Sequence, residues 1–143
     1  MKKIKLFFMN LGLSLLSYIV IVFLGFWLFS ATSDIEIPGE IMPWFTTLIS
    51  TTLLFLLGTK LNLLGKHWLN YLSVCGALLI ALPLAIQPTY ISVFLVFPFP
   101  GILALFMRED SHNFTMVLII AALLPSLITW SGMVYQSRRN KNV

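Results

Sequence analysis

Charge is what this sequence most conspicuously lacks. Nine Lys or Arg and five Asp or Glu make only 10% of 143 residues charged, while 59% are hydrophobic; soluble domains run to about 25% and about 45–50%. With a mean hydropathy of +0.95 there is too little polar surface for a water-soluble fold. The same apolar content excludes a disordered chain. An all-α membrane protein is expected, with residues 1–143 forming a single polytopic membrane domain.

Cysteine is almost absent as well. Cys75 stands alone, which excludes an internal disulfide, a paired-thiol redox centre and a thiolate metal cage, since each needs at least two sulfurs. No Gly-x-Ser-x-Gly and no phosphate-cradling glycine loop occurs, and serines within apolar runs have no base nearby. Ionisable side chains are missing from the apolar stretches themselves, where proton relays and ion pathways would need them. Lys60, at the end of its run, is expected to snorkel to the headgroups. No catalytic residue, metal or cofactor is therefore expected, and the chain reads as non-enzymatic.

What the sequence does contain is four uncharged stretches, 6–33, 41–59, 68–107 and 113–137. A hydrocarbon core of about 30 Å takes roughly 20 helical residues, so the first, second and fourth each supply one crossing. The start, Met-Lys-Lys-Ile-Lys before an apolar run, has the look of a signal peptide. The run is too long for a usual signal core, and an uncleaved anchor is expected.

The third stretch decides the topology. If it crosses once, eight of the nine cations (Lys2, Lys3, Lys5, Lys60, Lys66, Arg138, Arg139, Lys141) share one side and only Arg108 lies opposite. If it crosses twice, the division is six against three. The positive-inside rule favours the first, with both termini cytoplasmic. Spans are then expected at about 6–29, 43–63, 69–86 and 114–135. Pro98-Phe99-Pro100-Gly101 would interrupt any second crossing, because each proline removes a backbone donor and bends the residue before it. Residues 91–107 are expected to form a re-entrant or interfacial segment before the last helix, five spans being the alternative. Pro83 and Pro125 should only kink their helices. Trp27, Trp44 and Tyr90 suit the outer interface, and Trp68, Tyr71, Trp130 and Tyr135 the inner one.

Small residues recur every four positions along the third span at Ser73, Ala77, Ala81 and Ala85, with Ala122, Ser126 and Thr129 on the last. Such stripes let helices approach closely where lipid supplies no hydrophobic drive, so these two spans are expected to pack together or to receive a partner's helix. Thr47, Ser50, Leu54 and Gly58 share a face of the second span. In the four-span topology Asp34, Glu36, Glu40, Glu109 and Asp110 all face outward with His112, a rim suited to a cationic peptide or divalent ion. His67 and His112 then lie on opposite sides and cannot share a ligand.

The function expected is a small multi-pass protein of a bacterial plasma membrane, of accessory, regulatory or immunity type. It would act through helix packing or its acidic outer face, on a larger membrane protein or a second copy of itself. A transport or channel component using the 98–101 break is the alternative. The cations flank apolar runs instead of clustering, so no nucleic-acid partner is expected.

Overall fold

The computed structural model describes residues 2–32, 41–64, 67–86, 98–101 and 114–140, and the regular structure among them is all helical. Helix α1 runs Lys2–Thr32, α2 Ile41–Lys60, α3 His67–Val74, α4 Gly76–Ile86 and α5 Phe114–Arg139. Three of these contain segments long and apolar enough to cross a membrane: Lys2–Leu28, Ile41–Lys60 and Thr115–Arg139. The helices overrun the expected limits of the first and last spans. The second ends earlier than expected, because the chain leaves the helix at Leu61.

The expected third span is not one helix. Between α3 and α4 the Cys75 N–H donates to the Leu72 carbonyl and the Leu78 N–H to the Cys75 carbonyl, at 3.3 and 3.0 Å. Both bonds reach back three residues instead of four, tightening the chain into a single turn. The carbonyls thereby released find other donors. Cys75 Sγ donates to Tyr71 O at 3.3 Å, and the Ser126 hydroxyl on α5 donates to Val74 O at 3.2 Å. Neither proline explains this break: Pro83 sits inside α4 and Pro125 inside α5. What stands at the break is a close approach, since a methyl on Gly76 would lie 2.6 Å from the Leu11 carbonyl of α1.

Burial along the helices inverts the pattern of a soluble protein. On α1 the covered positions are Asn10, Ser14, Tyr18, Ile21 and Gly25, spaced by three or four residues. On α2 they are Thr46, Ser50, Leu54 and Gly58. This corrects the expected face by one residue, Thr47 being only half-buried. The perimeter carries the large side chains instead, Phe23 at 69% exposure and Leu79 and Met116 at 67% among them. That arrangement suits hydrocarbon, which dissolves the large side chains and leaves van der Waals contact and hydrogen bonding to hold the helices together.

Three apolar layers fill the interior. Leu61, Val74 and Met133 form one. Ile21, Leu54 and Phe99 form the next, flanked by Leu124 and Ile128. Tyr18, the three alanines 77, 81 and 85, Leu118 and Ala122 form the third. Chain directions follow from who meets whom. Asn10 reaches Asn62 and Ser73, so α1 runs antiparallel to α2 and parallel to α3–α4. Ser126 meets Val74 while Leu118 and Ala122 meet the alanine stripe, so α5 runs antiparallel to α4 and parallel to α2.

The tightest crossing joins α2 to α5. A methyl on Gly58 would overlap the Thr129 carbonyl oxygen, and one on Gly132 would overlap the Phe55 carbonyl oxygen. Backbone faces backbone there, so no side chain can swing aside. Gly58→Ala is expected to destabilise the bundle by about 1–3 kcal/mol, the usual range for overpacking. Gly12 has nothing within 4 Å of an added methyl, and Gly12→Ala is expected to be neutral or to stabilise by up to about 1 kcal/mol. Titration with SDS followed by far-ultraviolet circular dichroism separates the two; coincident midpoints would show that the crossing is looser than the geometry requires.

Candidate functional site

The densest group of polar side chains lies where α1 meets the chain segment between α2 and α3. Leu61 and Leu64 in that segment are buried, yet residues 61–64 are not helical and their backbone needs partners. Asn10, fully buried on α1, answers both polar groups of one residue: its Nδ2 donates to Asn62 O at 2.8 Å, and its Oδ1 accepts from Asn62 N at 3.3 Å. The same Nδ2 lies 3.4 Å from Ser73 Oγ. Asn70 Oδ1 accepts from Leu64 N at 2.7 Å, and the Ser73 hydroxyl donates to Asn70 O at 2.8 Å. The group is therefore a hydrogen-bonded clasp between α1, the connecting segment and α3. It has no ionisable member, and its chemistry is structural.

Asn10, Asn62 and Asn70 are uncharged, so an ionisable side chain in an apolar run, the usual mark of intramembrane function, does not point to them. A signal was present: Asn10, Ser14 and Tyr18 recur every four residues inside a mostly apolar run.

The proline break occupies the bundle interior. Pro98 and Phe99 are buried, and Phe99 fills the layer between Ile21 and Leu54. The Gly101 N–H donates to Thr47 Oγ1 at 2.9 Å, while that hydroxyl donates to Pro43 O at 2.8 Å. Gly101 also lies under the Trp44 ring, since a methyl there would stand 2.8 Å from Trp44 Cε3. Phe99 and Gly101 thus sit against α2, with Pro98 buried and Pro100 half-buried beside them. The rest of the expected re-entrant segment, 91–97 and 102–107, lies outside the described residues.

The small-residue stripes are covered by the chain itself. Ser73, Ala77, Ala81 and Ala85 are buried, and so are Ala122, Ser126 and Thr129. Their two faces meet each other and Tyr18 of α1, with the Ser126–Val74 bond between them. The acidic candidates Asp34, Glu36, Glu40, Glu109 and Asp110 lie outside the described residues, as does His112. No group of three or more His, Cys, Asp or Glu that could hold a metal ion occurs among the described residues.

At the end where α2 and α5 finish, the ring of Tyr135 packs on Phe55 at 5.8 Å between centroids. The Tyr71 ring of α3 meets Trp130 of α5 edge-on, also at 5.8 Å. Lys60, Arg138 and Arg139 close the last turns of α2 and α5. Comparison with known protein families, with curated proteins and with solved structures finds no match to this chain.

Asn10→Ala removes both partners of the Asn62 backbone and is expected to destabilise the protein by about 1 kcal/mol for each partly buried bond lost. The Tyr18 hydroxyl is buried without a hydrogen-bond partner among the described residues, so Tyr18→Phe is expected to leave stability unchanged or raise it. Both are read from the SDS midpoint. A loss on Tyr18→Phe as large as that on Asn10→Ala would reveal a bonded role for the hydroxyl.

Proposed function

We propose that this chain is a four-span, non-enzymatic protein of a bacterial plasma membrane, with both termini cytoplasmic, acting as an accessory, regulatory or immunity-type partner of a larger membrane protein. Its working surface is the perimeter in the bilayer. The observation that carries this reading is the engagement of the interior: the buried amides and hydroxyls of Asn10, Asn70, Ser73 and Ser126 bond to groups of the chain itself. The stripes of small residues likewise cover one another.

Helix directions support the span count. With α4 and α5 antiparallel and in contact, Ile86 and Phe114 come to the same end of the bundle. Residues 98–101 lie against α2 at Thr47, roughly 9 Å along the helix from Ile41 at 1.5 Å per residue. A dip that enters and leaves on one side meets both conditions, and burial against protein supplies what bare backbone needs at that depth. In this topology α3 and α4 together, residues 67–86, make the third crossing. The cations Lys2, Lys3, Lys5, Lys60, Arg138 and Arg139 then share the cytoplasmic border.

A reporter fused after Val143 is expected to be active on the cytoplasmic side; activity on the exterior overturns the four-span count. For the accessory role, a photo-crosslinking residue at Phe23 or Leu48, both on the perimeter, is expected to capture one discrete larger membrane protein in native membranes, whereas one at buried Ala81 captures none. Solute flux through reconstituted protein that rises on Phe99→Ala would instead favour a transport role for the 98–101 break.

A further inference from the structure

The end of the bundle where α2 and α5 finish carries a second feature, independent of the number of crossings. Because α2 and α5 run parallel and cross at Gly58 and Gly132, their last turns are held side by side, and with them Lys60 and Arg139. Between these turns lies a cleft of about 540 Å³ lined by Thr59, Lys60, Tyr135, Gln136, Arg139 and Asn140. On its other side Lys60 also borders a groove of about 420 Å³ along the α1–α2 seam, walled by Leu16, Ser17, Val20, Leu53, Leu56 and Leu57. One cation thus joins a polar, basic recess to an apolar furrow. From Lys60 to Leu53 the furrow descends about 10 Å toward the bundle centre at 1.5 Å per residue.

We propose that this is a binding site for one anionic glycerophospholipid. The phosphodiester sits between Lys60 and Arg139, and an acyl chain lies in the α1–α2 groove. A free phosphate would use the cations and leave the groove idle; a hydrocarbon would do the reverse. Only an amphiphile with a negative head answers both. The headgroup must carry a net negative charge to answer Lys60 and Arg139, the two cations of the cleft. Phosphatidylglycerol is therefore the fitting probe, and phosphatidylcholine, with the same phosphate but no net charge, is its control. Basic recesses between membrane helices select anionic heads by this chemistry.

The test is native mass spectrometry of the full chain in detergent, supplemented with either lipid. One phosphatidylglycerol is expected to be retained at least tenfold better than phosphatidylcholine. Lys60→Gln with Arg139→Gln should lower retention roughly thirty-fold at low salt, about one cation's surface attraction being lost twice over. Lys5→Gln is the comparison: it removes an exposed cation from the N-terminal turns of α1, at the same end of the bundle and outside the cleft, and should change nothing. Ser17→Leu fills the groove and should weaken retention several-fold with the cations intact. Circular dichroism on each variant establishes that the helices persist.

Equal retention of the two lipids would overturn the proposal. So would a loss on Lys5→Gln matching that on the Lys60 and Arg139 pair, which would mean general attraction to a basic border. Displacement of the lipid by millimolar inorganic phosphate, together with no effect of Ser17→Leu, would assign the cleft to a soluble anion and also overturn it.

Discussion

A backbone group that leaves a helix inside an apolar medium has to be met by another group of the same chain, and most of this structure answers that constraint. Within the hydrocarbon, water is not available to repair an open turn, and each unsatisfied N–H or C=O there costs several kcal/mol. The chain departs from regular helix at three described places. At 61–64 the side chains of Asn10 and Asn70 stand in for the missing helical partners. At Cys75 the thiol and the Ser126 hydroxyl take the two carbonyls that the tight turn releases. At Gly101 the N–H finds Thr47 Oγ1. Asn10, Thr47, Asn70 and Ser126 therefore serve the places where the backbone is irregular.

The same constraint explains why small side chains stand where helices cross. Hydrogen bonds between helices need the backbones to be near, and dispersion between helices grows only when they touch. Gly58 and Gly132 bring α2 and α5 into backbone contact, and Gly76 does the same for α4 against α1. Around these contacts the alanine stripe and Tyr18 complete one layer and Phe99 another. Bulk is displaced outward, giving a perimeter of Phe, Leu, Ile and Trp that hydrocarbon accepts without penalty.

A rigid, internally engaged bundle leaves two kinds of surface for function: the apolar perimeter and the polar ends. The basic end is shaped by helix direction as much as by charge, since parallel α2 and α5 set Lys60 beside Arg139. Had α5 run the other way, the same residues would lie a membrane's thickness apart. Topology therefore decides which charged groups can act together, and the proposed dip of the proline segment matters to function for that reason.

Much of this was legible in the residues. Composition and run lengths are enough for an all-helical membrane protein and for α1, α2 and α5, because length and hydropathy decide insertion segment by segment. The four-residue recurrence of Ser73, Ala77, Ala81 and Ala85 marked a close-packed face, and Pro98 to Gly101 marked a break. The turn at Cys75 was not legible, since no proline or glycine pair at the break distinguishes it from the continuous apolar run around it, and its cause lies on α1 and α5. Nor was the clasp of Asn10 with Asn62, two residues separated by the whole of α2. Local sequence determines which stretches are helical and apolar, because those are properties of neighbours in the chain. Which carbonyl Ser126 meets, which amide Asn10 holds and what Lys60 stands beside were decided only by tertiary structure, because hydrogen bonds and charge pairing depend on distances in space that the chain acquires on folding.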